Sequence, residues 1–410
     1  MDYLIKTQGF RAVSIKLPAS KSISNRVLIL NALSCASQSV QNLADCDDTN
    51  VMLKALQSSE HEIDIKAAGT AMRFLTAYLA GRPGNRTITG TERMKNRPVK
   101  ILVDALNSLG AQIEYVDKEG FPPLRIIGNR LVGGETSLYG GVSSQYISAL
   151  LMAAPLMEKG LRLHLTGRVI SRPYLDLTIR LMKEFGVTVF EDGHTLTIPP
   201  QSYVPVPFTV ESDWSAASYW YEIVALSDDA RVSLSGLFAD SMQGDAGIVY
   251  LFDKLGVETI FETDGVVLRR KERSVDMPFT QDFTDMPDMA QTFAVTCAVL
   301  GIPFILSGLQ SLKIKETDRL AALCNELSKL GYLLTEEDGQ ILRWNGELTA
   351  PAQVPVIQTY DDHRMAMAFA PIALRRPEGI TLANIEVVSK SYPLFWKDLQ
   401  KADFKLISMA

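Results

Sequence analysis

Two kinds of predicted helix alternate along the 410-residue chain. The first kind is amphipathic: the apolar residues of 99–109 and 320–330 recur at helical spacing, and each run stops at a glycine. Such a glycine is suited to a left-handed helix C-cap, and each is followed by a predicted strand, turn and strand. The four helices of this kind end at Gly110, Gly186, Gly256 and Gly331.

The second kind of helix is apolar on nearly all sides, and its polar residues gather at the start. This pattern predicts a helix that is buried and presents only its N-terminal end, where the helix dipole is positive. For any one helix, ordinary capping is a sufficient explanation, but six in succession favour a shared positive focus. The six predicted starts are Ser22, Thr70, Ser143, Trp214, Pro287 and His363.

Six such helix pairs with strands predict six related units in two halves. The seam is expected at 211–213, after the proline-rich stretch 199–207, with a second crossing near 18–20. The predicted domains are 18–212 and 1–17 with 213–410. The first unit is predicted to be shortened, because the chain before Gly69 has room for one strand, 62–66, but hardly for a hairpin.

Composition restricts the classes of partner. With 47% hydrophobic and 21% charged residues the chain is typical of a soluble globular protein. The net charge of −6 argues against nucleic acid or an anionic membrane as the main partner. The four cysteines lie far apart without a CxxC pair, so neither a zinc site nor a disulfide framework is expected, and we expect a cytoplasmic protein. The apolar run 290–306 is too short for a membrane span and predicts a buried helix followed by a strand.

The clearest candidate for an anion site is the segment SKSISNR at 20–26. Lys21 lies at a predicted helix start, and Ser22 and Arg26 share one face because they are four residues apart. A carboxylate or phosphate fits this arrangement, whereas a capped helix with solvated basic residues is the alternative.

Further helix starts and loops supply hydroxyl, amide and cationic groups that suit phosphate and ring hydroxyls. In the first half these are Gly69 of GTAMR, Arg97 of RMKNRP, Ser143, Ser144 and Gln145 of SSQY, and Ser171 and Tyr174 of SRPY. In the second half the carboxylates Asp288 and Glu316 stand among Lys315, Arg319, Arg364 and Lys390. For each segment the alternative is capping or a solvated ion pair.

So many cations indicate more than one phosphate, and they predict two substrates that carry phosphates and carboxylates. The chain has no GxxxxGK[ST] loop, no GxGxxG after a strand and no HExxH. Nucleotide, dinucleotide and zinc chemistry are therefore not expected.

These motifs, in this order, resemble the 5-enolpyruvylshikimate-3-phosphate (EPSP) synthase family over nearly the whole length. The segments that carry the resemblance are SKSISNR, GTAMR, RMKNRP, SSQY, SRPY, SDWSAAS, MPD, KETDR, DDHRMAM and SKSYP. The resemblance implies an α/β fold, a two-domain inside-out α/β barrel of six inverted βαβ-type repeats, three per domain. It also implies that buried helices point their N-termini at an interdomain cleft, over which the domains close.

The resemblance further implies a reaction and a set of site residues. The enolpyruvyl group of phosphoenolpyruvate is transferred to the 5-hydroxyl of shikimate 3-phosphate, with release of phosphate and without metal or cofactor. Shikimate 3-phosphate would be bound by Lys21, Ser22, Arg26, Ser143, Ser144, Gln145, Ser171, Tyr174, Asp288 and Lys315. Phosphoenolpyruvate would be bound by Lys21, Gly69, Arg97, Gln145, Arg319, Arg364 and Lys390. The catalytic residues would be Lys21 and the acid–base residues Asp288 and Glu316, with Asp288 as the proton acceptor.

Five positions depart from the family's pattern, and none of them removes a charged residue of the implied site. They are Ala67, Phe74, Asn96, Ser311 and Asp361. In this family glyphosate occupies the phosphoenolpyruvate site, so the departures bear on inhibitor sensitivity. A monomer is expected from family habit.

Three other functions are open at this point. UDP-N-acetylglucosamine enolpyruvyltransferase shares the fold and the donor, but it has Lys-Asn where this chain has Lys21-Ser22, and its loop cysteine has no counterpart here. A non-catalytic phosphometabolite-binding protein would not need Asp288 and Glu316. An RNA-end-processing enzyme on a related scaffold is disfavoured by the acidic balance.

Overall fold

A computed structural model provides the structure, which describes residues 2–35, 40–353 and 355–409. The helices are α1 (Lys21–Leu33), α2 (Asp47–Gln57), α3 (Gly69–Ala80), α4 (Glu92–Lys95), α5 (Lys100–Ser108), α6 (Ser144–Ala153), α7 (Arg172–Glu184), α8 (Trp214–Leu226), α9 (Ile248–Lys254), α10 (Ala290–Val299), α11 (Arg319–Lys329), α12 (His363–Phe369) and α13 (Phe395–Lys401). Short 3-10 helices are Ala154–Leu156, Gly244–Gly247, Pro287–Met289, Gln310–Ile314, Ala370–Arg375 and Ile385–Lys390.

The strands are β1 (Asp2–Lys6), β2 (Ala12–Lys16), β3 (Val40–Gln41), β4 (Glu62–Asp64), β5 (Gly84–Thr89), β6 (Gln112–Tyr115), β7 (Leu124–Gly128), β8 (Gly134–Tyr139), β9 (Leu161–Thr166), β10 (Phe190–Asp192), β11 (Thr195–Ile198), β12 (Phe208–Thr209), β13 (Arg231–Ser235), β14 (Val257–Glu262), β15 (Gly265–Arg270), β16 (Phe279–Asp282), β17 (Phe304–Ser307), β18 (Thr335–Glu337), β19 (Ile341–Trp344), β20 (Val356–Ile357), β21 (Ile380–Ala383) and β22 (Lys405–Met409). Together the elements confirm the predicted α/β class, including a buried helix and a strand within 290–306.

The chain divides into two compact units. The continuous unit is Lys21–Val210, and the discontinuous unit combines Met1–Ser20 with Glu211–Ala410. A division into units does not show motion, so the hinge crossings expected near 18–20 and 211–213 stay a prediction.

Five four-stranded sheets follow one pairing pattern. In each, the first pair of strands is parallel and the next two pairs are antiparallel. The sheets have the orders β4-β5-β7-β6 and β8-β9-β11-β10 in the continuous unit, and β2-β13-β15-β14, β16-β17-β19-β18 and β20-β21-β1-β22 in the discontinuous unit. The shared pattern is the structural form of the repeat that the sequence predicts.

In four sheets a buried helix, α3, α6, α10 or α12, connects the two parallel strands. In four sheets an amphipathic helix, α5, α7, α9 or α11, leads to the hairpin. The buried helices are α1, α3, α6, α8, α10 and α12, and the amphipathic ones are α2, α5, α7, α9, α11 and α13. In α8 every residue except Ser215 is buried. The glycines that end four amphipathic helices all have positive φ, as their C-cap role requires. The predicted alternation of two helix types is therefore confirmed.

The sheet of the first repeat in the continuous unit is small. It has two short strands, β3 and β12, which pair in parallel. The strand near Glu62 belongs to the next sheet, where β4 pairs with β5. In the two-stranded sheet, β12 comes from the end of the unit and lies about 170 residues along the chain from its partner β3.

In each unit three buried helices pack on one another and the sheets pack against their outer faces. In the continuous unit these helices are α1, α3 and α6, and in the discontinuous unit they are α8, α10 and α12. Burial on all sides explains why these helices carry polar residues chiefly at their first turns. In the described part of the chain, no helix combines the length and apolar character that crossing a membrane requires.

Candidate active site

Lys21 is the first residue of α1, where its ammonium forms an ion pair with Asp48 of α2. The Lys21 Nζ–Asp48 Oδ2 distance is 3.2 Å, and the two side chains are 18% and 7% exposed. Asp48 lies in the first turn of an amphipathic helix, where sequence reasoning reads an acidic residue as dipole stabilisation. The structure instead uses it to hold the Lys21 ammonium at the start of the buried helix.

Arg26 connects the helices of the continuous unit. Its Nε donates to Thr178 Oγ1 at 2.7 Å and its Nη2 to Ser148 Oγ at 3.3 Å, and its guanidinium lies 5.3 Å from the centre of the Phe74 ring. Its remaining hydrogen bonds go to the carbonyls of Ser22 and Tyr174. Burial lowers the pKa of Arg26 to about 10. Because no described carboxylate pairs with it, this buried cation is not neutralised within the described residues.

Two guanidinium groups lie against the backbone of Gly69, the first residue of α3. A β-carbon placed on Gly69 would lie 2.5 Å from Arg97 Nη1 and 2.6 Å from Arg73 Nη1. Arg73 Nη1 donates to the Gly69 carbonyl at 2.8 Å. The absence of a side chain at this position therefore permits two cations to approach one helix start.

The start of α6 completes this group. Ser143 is the N-cap and accepts from the Gln145 amide, and Ser144 is buried in the first turn. Gln145 Nε2 donates to Thr70 Oγ1 at 3.1 Å. These contacts join the start of α6 to that of α3, so Gly69, Arg97 and Gln145 lie in one group.

Ser171 and Tyr174 open α7. Ser171 adopts a left-handed backbone with φ 54°, and its side chain makes no capping hydrogen bond. A serine in this conformation is strained, and such strain is concentrated at functional sites. The Tyr174 carbonyl accepts from Thr178 at 2.9 Å and from Arg26 at 3.3 Å, so the α7 start is tied to Arg26 through backbone rather than through the phenol.

In the discontinuous unit, Arg319 is the hub of a buried charge cluster. Its side chain is 2% exposed and binds three carboxylates: Nη1 donates to Asp288 at 2.6 Å, Nη2 to Glu316 at 2.9 Å and Nε to Asp362 at 2.7 Å. Burial alone would lower the pKa of Arg319, but these carboxylates raise it above the ordinary arginine value. The guanidinium therefore stays charged and fixes the three acids around it.

Asp288 precedes α10 and faces three cations. Lys315 Nζ lies 3.3 Å from its Oδ1, and Arg364 Nη2 lies 3.5 Å from its Oδ2. Burial opposes ionisation of Asp288, but Lys315, Arg364 and Arg319 outweigh burial and hold the pKa of this carboxyl well below its usual range. Burial also lowers the pKa of Lys315, an effect that Asp288 partly offsets.

Glu316 lies between two cations of the same cluster. Its Oε2 accepts from Arg319, and its Oε1 pairs with Lys390 Nζ at 3.1 Å. Lys390, at the end of the 3-10 helix Ile385–Lys390, is thereby joined to residues more than 70 positions earlier in the sequence. All six charged residues that the sequence proposed for this half lie in one cluster.

Arg364 joins the cluster to the start of α8. Its Nη2 donates to Ser215 Oγ at 3.4 Å, and Ser215 donates in turn to the buried carboxylate of Asp245. Burial raises the pKa of Asp245 to about 6, although Arg364 and Ser215 favour its charged form. Ser215 and Asp245 were not among the residues proposed from the sequence.

Comparisons with known proteins agree with this geometry. The family model described as EPSP synthase (3-phosphoshikimate 1-carboxyvinyltransferase) matches residues 12–59 and 57–399. A 3-phosphoshikimate 1-carboxyvinyltransferase of Bacteroides fragilis is 56% identical over 405 residues, 98% of each chain. The chain belongs to the EPSP synthase family. A protein of the same name from Vibrio cholerae is 38% identical and aligns with 92% of this chain and 94% of its own.

Solved structures support the family's fold. EPSP synthase from Acinetobacter baumannii superposes with a TM-score of 0.77 at 20% identity, over 99% of this chain and 100% of that one. The enolpyruvyl transferase NikO from Streptomyces tendae gives 0.74 at 17% identity, over the whole of both chains. The two-domain inside-out α/β fold of this family is therefore the fold of this chain.

Several partners of the site residues escaped sequence reasoning. Asp48, Asp362 and Asp245 have the appearance of caps or surface acids in the sequence, because nothing local distinguishes a carboxylate that pairs across helices. Two departures from the family's pattern acquire contacts: Phe74 packs on Arg26, and Asp361 accepts from Asn384 at 2.6 Å. For Ser311, whose hydroxyl is buried, no hydrogen-bond partner lies among the described residues.

Proposed function

We propose that the clusters of the two units bind the substrates of the family's reaction and carry out its proton transfers. The enzyme is a 3-phosphoshikimate 1-carboxyvinyltransferase, which transfers the enolpyruvyl group of phosphoenolpyruvate to the 5-hydroxyl of shikimate 3-phosphate and releases phosphate. The reaction belongs to aromatic amino acid biosynthesis. The comparisons favour neither a UDP-N-acetylglucosamine enolpyruvyltransferase nor a non-catalytic phosphometabolite-binding protein.

The continuous unit supplies most of the proposed contacts to shikimate 3-phosphate. Arg26 supports this assignment because it is a buried cation whose described partners are neutral, and an anion completes its charge balance. The hydroxyl and amide groups at the starts of α6 and α7 suit the phosphate and ring hydroxyls. The proposed residues are Lys21, Ser22, Arg26, Ser143, Ser144, Gln145, Ser171 and Tyr174, with Asp288 and Lys315 of the discontinuous unit.

Phosphoenolpyruvate carries a phosphate and a carboxylate, and both need fixed cations. Arg97 lies against the bare backbone of Gly69. The guanidinium of Arg319 is hydrogen-bonded to carboxylates, and that of Arg364 lies 3.5 Å from the carboxylate of Asp288. Paired guanidinium groups are well suited to carboxylates and phosphates, because their fork of donors matches both anions. The proposed residues are Lys21, Gly69, Arg97, Gln145, Arg319, Arg364 and Lys390.

The chemistry adds the 5-hydroxyl across the double bond of phosphoenolpyruvate and then eliminates phosphate. The hydroxyl loses a proton while the methylene carbon gains one, and the methyl group formed must lose a proton when phosphate leaves. Two acid–base groups and a set of cations around the phosphate meet these demands. Fixing both substrates can itself supply roughly 7–11 kcal/mol of the barrier reduction.

The observation that carries the proposal is the position of Asp288 among Lys315, Arg319 and Arg364. The three cations keep Asp288 ionised, and therefore able to accept a proton, but they also make it a weak base. Bound substrate anions would neutralise part of this positive field, and the pKa of Asp288 would then rise toward a useful value. Glu316, held between Arg319 and Lys390, is proposed as the second acid–base group.

The decisive experiment measures phosphate release from phosphoenolpyruvate in the presence and absence of shikimate 3-phosphate. Release is expected only with both substrates. Asp288→Asn is expected to lower kcat by roughly 10²–10⁴, the usual range for general acid–base catalysis, while it keeps its affinity for shikimate 3-phosphate within a few-fold. Asp285→Asn, which changes an exposed carboxylate three residues earlier, is the matched control and should retain full turnover.

Turnover of Asp288→Asn at the rate of the Asp285→Asn control would contradict the assigned role. Two further proposals, that the enzyme is a monomer and that it is cytoplasmic, need separate measurements. Light scattering of the assayed protein gives the mass of the particle, and fractionation of the source cells gives the compartment.

A further inference from the structure

The carboxylate of Glu326 is fully buried and lies outside the charge cluster that the proposed reaction uses. It is on α11, and it binds the chain segment that leads from β20 to α12. Its Oε2 accepts from the Gln358 backbone amide at 2.9 Å, and its Oε1 accepts from the Tyr360 hydroxyl at 2.6 Å. Lys329 Nζ provides the ionic partner at 2.6 Å from Oε2. A buried carboxylate is tolerated only when its oxygens are paired, so these contacts hold the segment firmly.

The segment adopts a backbone that needs such support. Tyr360 and Asp361 are consecutive residues with φ of 53° and 54°, in the left-handed region that side chains other than glycine rarely occupy. The second residue of the pair has a contact of its own: Asn384 Nδ2 donates to Asp361 Oδ1 at 2.6 Å. Strained conformations of this kind persist when the surrounding contacts fix them, and they are concentrated at functional sites.

The strained pair leads directly into the charge cluster. The next residue, Asp362, is the N-cap of α12, and its Oδ1 accepts from the Arg364 amide at 2.9 Å. Its Oδ2 accepts from Arg319 Nε at 2.7 Å. The backbone turn at 360–361 thus determines where Asp362 and Arg364 enter the cluster.

One helix holds this segment on both sides of the strained pair. Arg319 and Glu326 are seven residues apart on α11, which is about two helical turns, so they lie on one face. Glu326 binds the chain before the pair and Arg319 binds it after. Because the helix between them is rigid, the two anchor points fix the distance over which the segment must turn.

We propose that Glu326 and Tyr360 are positioning residues that set Asp362 and Arg364 in register with Arg319 and Asp288. The inference depends on the proposed binding of phosphoenolpyruvate by Arg319 and Arg364. It gives a role to a buried carboxylate and a tyrosine hydroxyl that bind each other outside the charge cluster. Loss of the contact should disturb Arg364, and therefore phosphoenolpyruvate, without disturbing the groups of the continuous unit proposed for shikimate 3-phosphate.

The test is Tyr360→Phe, which removes one hydroxyl and leaves the backbone unchanged. Hydrogen bonds to charged groups are usually strong enough that we expect the KM for phosphoenolpyruvate to rise roughly tenfold. The KM for shikimate 3-phosphate should stay within twofold. Tyr221→Phe is the matched control, because its hydroxyl pairs with Thr259 Oγ1 at 2.9 Å in the same unit but away from the segment. Equal KM values for phosphoenolpyruvate in the two variants would overturn the proposal.

Two further measurements separate this inference from the function on which it depends. Glu326→Gln removes the charge at the other end of the same contact and should also raise the KM for phosphoenolpyruvate selectively. It replaces Tyr360→Phe as the test if that variant does not fold. Arg364→Lys tests the phosphoenolpyruvate role alone. If Arg364→Lys raises that KM and both positioning variants leave it unchanged, the positioning role is wrong and the binding role stands. If Arg364→Lys itself leaves it unchanged, the binding role and the inference that depends on it are both wrong.

Combining the substitutions measures the coupling directly. If Tyr360 acts through Arg364, the double variant Tyr360→Phe with Arg364→Lys should be little worse than Arg364→Lys alone. Strictly additive effects on the KM for phosphoenolpyruvate would count against the proposal.

Discussion

At the scale of single residues, the bare backbone of Gly69 decides how closely two guanidinium groups can approach one helix start. A methyl group on Gly69 would lie far inside the contact distance of Arg97 and Arg73. The ends of arginine side chains can move, whereas the helix cannot. An alanine at this position would therefore displace the cations and leave the fold intact.

We expect Gly69→Ala to raise the KM for phosphoenolpyruvate, because Arg97 is moved from its place beside the helix start. Loss of a hydrogen bond to a charged group typically costs about 1.5–3 kcal/mol, which corresponds to roughly 10- to 150-fold. Steady-state kinetics with either substrate varied measures the effect, and circular dichroism melting checks the fold. An unchanged KM for phosphoenolpyruvate in a folded Gly69→Ala protein would show that Arg97 does not contact this substrate.

The buried acid Asp245 predicts a pH dependence of stability. Its pKa is raised to about 6 in the folded protein, so the folded state holds this proton more tightly than the unfolded state does. The stabilisation is complete below about pH 4 and is lost as the pH rises to about 6, an effect of roughly 3 kcal/mol. Asp245→Asn should abolish this part of the pH dependence.

Chemical denaturation at several pH values between 4 and 8 measures that difference. The free energy of unfolding of Asp245→Asn, relative to the unsubstituted protein, should increase across pH 4–6 and be constant above. A constant difference over the whole range would mean that Asp245 titrates at its ordinary pKa in the folded protein.

The clustering of the cationic residues could be anticipated from the sequence, because few other reasons place lysine and arginine at the starts of buried helices; their roles in binding stay a prediction. Their carboxylate partners could not be anticipated. Asp48 is 27 residues from Lys21 and Asp362 is 43 residues from Arg319, so these pairs depend on how the helices pack. A carboxylate near a helix start is explained equally well by the helix dipole, and the sequence does not distinguish the two roles.

At the scale of elements, the N-terminus of α8 combines a cap with a contact of the charge cluster. Asp213 Oδ1 accepts from the Ser215 amide at 2.8 Å and from the Ala216 amide at 3.4 Å. The same capped turn presents Ser215 Oγ to Arg364 and Asp245. The cap therefore orients a hydroxyl as well as stabilising a helix.

Asp213→Ala should lower the free energy of unfolding by about 1 kcal/mol, the typical value for loss of an N-cap. It should also weaken the binding of phosphoenolpyruvate and so raise its KM, because Ser215 is no longer held beside Arg364. Asp213→Asn is the matched control, since asparagine caps as well as aspartate and should keep both properties. Denaturation and steady-state kinetics on the two variants measure the effects. Equal KM values for phosphoenolpyruvate in Asp213→Ala and Asp213→Asn would show that the cap does not position Ser215 for substrate binding.

The repeat was predictable at this scale, but the strand pairings of its first and last copies were not. Alternation of buried and amphipathic helices follows from apolar periodicity, and the glycine C-caps mark the ends. By contrast, β3 and β12 are two-residue strands from distant parts of the chain, and β1 pairs with strands near the C-terminus. Local pattern cannot reveal pairings between segments so far apart.

At the scale of the whole molecule, the discontinuous unit is built from both ends of the chain. Strand β1 lies between β21 and β22 in the last sheet. Four of its residues pair with β21 and five pair with β22. Strand β2 pairs with β13, and the whole continuous unit lies between them in the sequence. The N-terminal segment therefore completes two of the three sheets of this unit.

This arrangement predicts that the chain tolerates a new connectivity but not a shorter N-terminus. In the antiparallel pair of β1 and β22, Asp2 is opposite Met409, so the start of one strand lies beside the end of the other, as in a hairpin. A short glycine-containing linker between Met409 and Asp2 should close this hairpin without distortion. New termini between Glu272 and Arg273 would lie in an exposed connection between β15 and β16.

We expect this circular permutant to fold and to release phosphate at a rate within a few-fold of the natural chain. Deletion of residues 2–6 should instead remove the strand that joins β21 to β22 and leave the discontinuous unit unfolded. The permutant keeps β1 in a new connectivity, whereas the deletion removes the strand together with its buried Ile5. The comparison therefore tests whether the strand itself, rather than its place in the sequence, is required. Melting curves and the phosphate-release assay measure both. A folded, active deletion protein would show that β1 is dispensable, because the last sheet would then be stable with β22 unpaired.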